Sequence, residues 1–221
     1  MGTLYIVASP IGNLEDITLR ALRVLREVDL IYCEDTRVTR RLLEKYGIDK
    51  ELRSLNARTE EKKIDEVLRE LEADKKLAYL SDAGTPGISD PGVRLVARAR
   101  VAGARVVPVP GPSALVAALS AAGAPSNKFV FYGFIPQKKG RQTLLKEIAD
   151  LDYTAVFYES SHRIERLLKE LTEFAPGKRV VLARELTKIY EEFLEGSPKE
   201  LLSLLQSNPQ KQKGEFVVIV F

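Results

Sequence analysis

Short hydrophobic runs alternate with amphipathic stretches along the whole chain. The runs are rich in Leu, Val, Ile and aromatic residues, which is typical of β-strands. We predict strands at residues 4–8, 30–33, 77–80, 105–109, 129–134, 154–158, 179–183 and 216–221, with an antiparallel edge strand at 191–195.

The stretches between these runs carry the hydrophobic repeat of a helix. In residues 21–28, for example, Ala, Val and Leu recur at the spacing of one helix face. Asp16, Thr36 and Asp90 precede such stretches and can cap a helix, and Asp90 is followed by Pro91 in the first turn. We predict helices after residues 16, 36, 59, 90 and 112, and at 140–149, 163–174 and 198–205.

This alternation predicts an α/β fold. Strands that alternate with helices form mostly parallel sheets covered on both faces. The turn Pro110–Pro112, with the helix after it, is the best candidate for a domain boundary. We therefore predict two α/β domains with mostly parallel sheets, at residues 1–111 and 112–221.

Composition limits the size of the hydrophobic cores, the possible partners and the cell compartment. The chain has 221 residues, 45% of them hydrophobic, which is enough for two modest cores. The net charge of +3 permits contact with nucleic acid without arguing for it. The single cysteine, Cys33, forms no disulfide framework and favours a reducing compartment. No hydrophobic run approaches the roughly 20 residues of a membrane span, so we expect a cytoplasmic protein.

The residues required for several common kinds of binding site and catalysis are absent from the sequence. The Gly-rich phosphate loops of dinucleotide-binding and P-loop proteins do not occur. One Cys and one His leave no metal cluster, so no metal is expected. A Ser–His–Asp triad would have to use His162, which opens a helix, where a capping or surface role is commoner.

Three turns that follow strands are unusually rich in Gly, Pro and small polar residues, at 9–13, 81–92 and 108–114. A single loop of this composition could be nothing more than a turn, because Gly and Pro supply the backbone angles that turns need. Three together indicate a binding site, since small residues let the backbone approach a ligand. Ligands of α/β sheets bind beyond the carboxyl ends of the strands.

Charged residues follow two other strands. The segment 33–37 contains Glu34, Asp35 and Arg37, and the segment 184–188 contains Glu185. Such groups also occur as capped helix starts or solvated ion pairs. If both segments faced one cleft, they would suit the positioning of a polar substrate.

These motifs together resemble those of the tetrapyrrole methylases, the class III S-adenosylmethionine methyltransferases. Within them the sequence is most similar to the ribosomal RNA small-subunit methyltransferase I family, because Ser-Asp-Ala stands at 81–83, where tetrapyrrole enzymes typically have Gly-Asp-Pro. The matching segments lie in order along almost the whole chain, at residues 9–18, 33–37, 81–92, 110–114, 131–136, 158–163, 184–188 and 213–216.

The resemblance implies a fold, a reaction and a set of ligand contacts. It implies two α/β domains with S-adenosylmethionine in the cleft between them, a homodimer, and 2′-O-methylation of a cytidine ribose in the decoding region of 16S rRNA. Carried over by motif, the cofactor-binding residues are Pro10, Ser81, Asp82, Ala83, Gly84, Thr85, Gly87, Ser113, Ala114, Tyr158, Ala183 and Glu215.

For such a reaction the ribose hydroxyl must lose a proton. We predict Asp35 and Glu185 as proton acceptors or orienting groups and Arg37 as a clamp for phosphate or ribose. Two alternatives stay open: a methylase of a small tetrapyrrole, and an RNA-binding module without catalysis. Members of the family commonly continue beyond the strand that ends here at Phe221, and the absence of that segment would weaken RNA binding.

Overall fold

The computed structural model describes residues 1–221, which divide into two compact units. The first unit is Met1–Ser113 and the second is Ala114–Phe221, whereas the sequence analysis placed the boundary between residues 111 and 112. Each unit contains a five-stranded sheet with helices packed on it. The predicted α/β class is confirmed.

The first unit contains one parallel sheet. Its strand order is β3-β2-β4-β1-β5. The elements are β1 (Thr3–Val7), α1 (Leu19–Glu27), β2 (Leu30–Cys33), α2 (Thr36–Lys45), β3 (Leu52–Ser54), α3 (Glu60–Glu72), β4 (Lys76–Leu80), α4 (Val93–Val101) and β5 (Arg105–Val109), with a 3₁₀ turn at Leu14–Asp16.

Because these strands are parallel, the loops that follow them leave the sheet at the same edge. We call this the carboxyl edge; it comprises residues 8–18, 34–35, 55–59, 81–92 and 110–113. The loops after β4, β1 and β5 are neighbours there, because these three strands are adjacent in the sheet. The short strand β3 was not predicted, since three residues are too few for a hydrophobic pattern to stand out.

Both faces of this sheet are covered, as the alternating pattern predicts. One hydrophobic cluster joins alternate strand residues such as Val7 and Ala78 to α1 and α2. The other joins residues such as Leu4 and Leu77 to α3 and α4. Side chains of a strand alternate between the faces, so each cluster takes every second residue.

Three predicted helix caps are wrong by a few residues. Thr18, not Asp16, accepts a hydrogen bond from the third residue of α1, because Asp16 belongs to the preceding 3₁₀ turn. Asp35, not Thr36, caps α2. Helix α4 begins after Gly92 rather than at Asp90, because residues 81–92 form one continuous loop.

The second unit contains the remaining elements. They are α5 (Ala114–Ala121), β6 (Phe129–Phe134), α6 (Arg141–Asp150), β7 (Thr154–Ser160), α7 (Ser161–Phe174), β8 (Val180–Arg184), β9 (Glu192–Gly196), α8 (Pro198–Ser207) and β10 (Glu215–Val220), with a 3₁₀ turn at Pro209–Gln212. Helices α6, α7 and α8 pack in one cluster with Phe157, Leu182 and Val218 of the sheet. No helix of the protein combines the length and the hydrophobicity that a membrane span requires.

The second sheet is mainly antiparallel, so the prediction of mostly parallel sheets is wrong for this unit. Its order is β6-β7-β10-β8-β9, and only β6 and β7 pair in parallel. The helices between β6, β7 and β8 do give these three strands one direction, as expected. The last strand, β10, then inserts between β7 and β8 in the opposite direction. Strand β9 pairs antiparallel at the edge of β8, as predicted.

Candidate functional site

Hydrogen bonds join the three loops that the sequence analysis singled out. Ser9 and Gly84 exchange two backbone bonds of 2.9 and 3.0 Å between the first and second loops. The Ser9 hydroxyl also donates to the Ser81 carbonyl at 3.0 Å. The Thr85 hydroxyl donates to the Pro112 carbonyl at 3.1 Å, which connects the second loop to the third. The three loops therefore form one assembly at the carboxyl edge.

A buried carboxylate supports the far end of the long loop. Glu60 is 8% exposed, and its Oε1 accepts bonds from the backbone N–H groups of Gly92 and Leu95, both at 3.1 Å. These N–H groups lie at the start of α4, where no preceding turn supplies acceptors. The sequence analysis assigned no role to Glu60, because only the packing of α3 against α4 brings its carboxylate to these N–H groups.

A small cavity lies between the first two loops and α2. Its volume is about 210 Å³, and it is lined in part by Pro10, Ser81 and Asp82, all predicted to bind the cofactor. Drug-sized ligands usually occupy clefts of roughly 300 Å³ or more. This cavity would therefore take only part of a cofactor-sized molecule.

Three carboxyl groups at the carboxyl edge have raised pKa values. Burial is the largest cause for Glu34, Asp82 and Asp90. Repulsion from the Asp82 charge raises the pKa values of Glu34 and Asp90 further, and repulsion from Asp35 does the same for Asp82. Asp82 Oδ1 accepts the backbone N–H of Asp35 at 2.9 Å, and no group of the chain donates to its Oδ2. A carboxylate with a raised pKa is a stronger base than usual. The sequence analysis treated Asp90 only as a helix cap, and it named Glu34 within the segment 33–37 without predicting it as a site residue.

Asp35 and Arg37 bind each other. The Asp35 carboxylate caps α2 by accepting the backbone N–H of Arg37 at 2.8 Å, and it receives the guanidinium through bonds of 3.0 and 2.6 Å. These bonds, led by those from the guanidinium, lower the pKa of Asp35 to about 2. The Arg37 side chain is otherwise exposed at 85%. The geometry fits an orienting role for Asp35 and leaves one face of Arg37 free for an anion.

Glu185 lies in the second unit, in a strained loop. Its backbone has a φ of 51°, and its Oε1 accepts from Lys188 Nζ and from the Glu215 backbone N–H, both at 3.0 Å. Burial raises the pKa of Glu185, but these two bonds outweigh it and leave the pKa below its usual value. Lys188 also bonds to the exposed Glu215 carboxylate at 2.8 Å.

The other predicted cofactor residues are divided between the units. Pro10, residues 81–87 and Ser113 belong to the carboxyl edge of the first unit, and Ala114 opens α5 in the second. Tyr158 lies near the end of β7 beside two phenylalanine rings. Ala183 lies within β8 and has no exposed surface.

The family model described as "Tetrapyrrole (Corrin/Porphyrin) Methylases" matches residues 3–202. Proteins called ribosomal RNA small subunit methyltransferase I are similar over nearly the full chain. That of Xylella fastidiosa is 50% identical over 99% of this chain and 81% of its own length. That of Thermotoga maritima is 47% identical over 100% of this chain and 98% of its own length. The chain belongs to the ribosomal RNA small subunit methyltransferase I family. It is a methyltransferase, and the methyl donor of its family is S-adenosylmethionine.

Solved structures of tetrapyrrole methyltransferases share the fold. The methyltransferase CobJ superposes with a TM-score of 0.73 at 22% identity, over 100% of this chain and 94% of that chain. A uroporphyrin-III C-methyltransferase of Thermus thermophilus, complexed with S-adenosyl homocysteine, superposes with a TM-score of 0.66 at 21% identity, over 99% and 97%. At these identities the likeness concerns the fold alone.

The carboxyl edge is chemically suited to such a cofactor. The backbone N–H groups of Ala83 and Thr85 donate to no acceptor within the chain, so they can bind a carboxylate or hydroxyl oxygen. Gly84, with a φ of 75°, lets the loop pack closely against Ile11 and Pro112 of the two neighbouring loops. Small polar ligands need such donors on an otherwise closely packed wall.

Proposed function

We propose that this methyltransferase transfers a methyl group to the 2′-oxygen of a cytidine ribose in the decoding region of 16S rRNA, in the small ribosomal subunit and in the cytoplasm. The observation that carries the proposal is the near-full-length similarity to relatives named for this RNA. The Ser81–Ala83 segment supports it too, because the tetrapyrrole branch typically has other residues there. We also propose a homodimer, as the family resemblance implies.

The proposed cofactor set is the one derived from the motifs. In the first unit it comprises Pro10, Ser81, Asp82, Ala83, Gly84, Thr85, Gly87 and Ser113, and in the second Ala114, Tyr158, Ala183 and Glu215. The bonded loops and the free N–H groups of Ala83 and Thr85 support the first part. Contact with Ala183 would require a local rearrangement, because it is fully buried. When bound, S-adenosylmethionine supplies an electrophilic methyl group on a sulfonium.

The chain's own contribution is to position the ribose and to take up its proton. Asp82 has the properties of the acceptor: a raised pKa, a carboxylate oxygen without a donor, and a place beside the cavity. Asp35 and Glu185 hold cations instead, so we assign them orienting roles. Arg37, held by Asp35, would contact a phosphate or ribose oxygen of the RNA.

An Asp82→Asn variant is expected to lower kcat by about 10²–10⁴-fold, the usual contribution of a general base. Asparagine keeps an oxygen for the Asp35 N–H. Because Asp82 also belongs to the proposed cofactor set, the rates are compared at saturating S-adenosylmethionine. The matched Asp35→Asn variant, which retains a capping oxygen, should lose less than about tenfold. Single-turnover rates and calorimetric cofactor titrations check both. Equal losses in the two variants would contradict the assignment to Asp82.

The proposed function is tested by methyl incorporation from labelled S-adenosylmethionine into small ribosomal subunits from cells that lack this enzyme. Label that maps to the 2′-oxygen of one decoding-region cytidine is the expected result. Label on a free tetrapyrrole and not on RNA would replace the proposal with the small-molecule alternative. RNA binding without any methyl product would instead support a non-catalytic module.

A further inference from the structure

A cluster of three aromatic rings lies at the carboxyl ends of β6 and β7, in the second unit. The rings of Phe131 and Phe134 lie 5.0 and 5.5 Å from that of Tyr158, both in edge-on geometry. Phe134 is 54% exposed. Phe131 and Tyr158 are partly exposed beside it, so the three rings form a contiguous apolar group and not a single exposed side chain. Contiguous exposed apolar groups mark binding sites more often than scattered side chains do. We call these rings, with the cations described below, the aromatic platform.

A β-bulge creates this cluster. Phe131 pairs with Val156 and Phe134 with Tyr158, so two residues of β6 oppose the single residue Phe157 of β7. Without the extra residue, Phe134 would point to the opposite face from Phe131, because strand side chains alternate. The bulge falls at Gly133, whose φ of 62° suits glycine. The backbone thus turns Phe134 to the same side as the other two rings.

A cation lies beside the exposed ring of Phe134, and two lysines follow four and five residues later in the chain. The Arg163 guanidinium carbon lies 5.9 Å from the Phe134 ring centre, and Arg163 Nε bonds to the Ser160 hydroxyl at 3.1 Å. Lys138 and Lys139 follow in the next loop, both exposed and without a carboxylate within ion-pair distance. The carboxylate that faces Arg163 belongs to Glu159 and is completely buried. The exposed ring therefore lies next to a cation, and the loop that follows its strand is positively charged.

The loop that carries the lysines is fixed from below. Arg141, itself 2% exposed, donates to the Pro136 carbonyl at 3.1 Å and bonds to Glu170 at 2.7 Å. Arg166 donates to the Gln137 carbonyl at 3.5 Å. Holding the backbone in place lowers the entropy that a ligand must remove on binding.

We propose that the aromatic platform binds an unpaired base of the RNA substrate, with Phe134 stacking on the base and Lys138 and Lys139 contacting the adjoining phosphates. This inference rests on the proposed function. Recognition of single-stranded RNA combines aromatic rings or Arg planes that stack on bases with cations that follow the backbone. Nearby, the chain offers no exposed carboxylate partner for the lysines, which favours a polyanion over a second protein surface.

The test compares Phe134→Ala with Tyr153→Ala. Tyr153 is 44% exposed and lies under Lys128 at a distance of 5.0 Å, at the opposite ends of the same strands, so it is a matched aromatic–cation pair outside the platform. Affinity for a labelled single-stranded RNA from the decoding region and KM and kcat on small subunits are measured for each. Phe134→Ala should weaken RNA binding and raise KM by about fivefold or more, Phe134→Trp should restore both, and Tyr153→Ala should change neither.

The double variant Lys138→Gln with Lys139→Gln should have a shallower slope of log RNA affinity against log salt concentration. The decrease should correspond to the loss of about one or two phosphate contacts. Unchanged RNA affinity in Phe134→Ala, with wild-type methylation of the rRNA, would overturn the platform and leave the proposed function intact. If Phe134→Ala lost RNA binding but even the wild-type protein methylated no rRNA, the platform would stand and the proposed reaction would be rejected. A weaker cofactor affinity or a changed oligomeric state at unchanged RNA affinity would also overturn the platform.

Discussion

A Gly84→Val variant is expected to bind S-adenosylmethionine at least about tenfold more weakly, which corresponds to about 1.4 kcal/mol. Gly84 has a φ of 75°, which costs other residues roughly 1–2 kcal/mol. Its Cβ would lie 3.5 Å from Ile11 and 3.9 Å from the Pro112 carbonyl, so the two methyl groups of valine would press on both neighbouring loops. The loop should move and break its two bonds to Ser9.

Gly103→Val is the matched control for this variant. Gly103 has a similar φ of 84° but no atom within 4 Å of its Cβ, and it precedes β5 at the opposite edge of the sheet. The control should pay the same backbone cost and keep its affinity for the cofactor. Calorimetric titration with S-adenosylmethionine and S-adenosylhomocysteine gives both constants. Normal cofactor affinity in Gly84→Val would remove the long loop from the cofactor site.

An Arg141→Met variant is expected to lower the free energy of unfolding of the second unit by about 3–5 kcal/mol. Arg141 lies between Glu170, 2.7 Å away, and Glu159, 3.7 Å away, and Glu159 is completely buried. Glu159 Oε2 already accepts no hydrogen bond, so its charge depends on nearby cations. Without Arg141, the Glu159 carboxylate keeps only one cation, Arg163, and the backbone N–H of Ser160. The Pro136 carbonyl also loses the hydrogen bond that it accepts from Arg141.

Arg166→Met supplies the comparison, because Arg166 pairs with the same Glu170 but is 59% exposed. An exposed pair contributes about 0–1 kcal/mol, so this variant should unfold almost like the wild type. Calorimetric unfolding with hydrogen exchange of α6 and α7 separates the second unit from the first. Combining Arg141→Met with Glu159→Gln should recover part of the loss. If the two single variants were equally stable, the buried ion pair would not be a major stabilising element.

The sequence predicted those parts of the candidate site that depend on neighbouring residues in the chain. Gly and Pro favour the backbone angles of turns, so the loops at 9–13, 81–92 and 108–114 could be found without a structure. Which of them bond to one another depends on the strand order of the first sheet. The roles of acidic residues were harder to predict. Asp35 was predicted as a proton acceptor or an orienting group, and the structure shows it as a helix cap bonded to Arg37. Glu60 was assigned no role, and it is buried and accepts two backbone N–H groups at the start of α4.

The sequence by itself determined the α/β class, the positions of nearly all strands and helices and the loops that carry the motifs, because hydrophobic spacing and turn residues act over a few neighbours. Tertiary structure alone decided the antiparallel insertion of β10, the bulge at Gly133 and the raised pKa of Asp82. Each of these depends on partners far away in sequence. A strand pattern specifies which faces are buried but leaves the neighbouring strand and its direction to the packing of the whole unit.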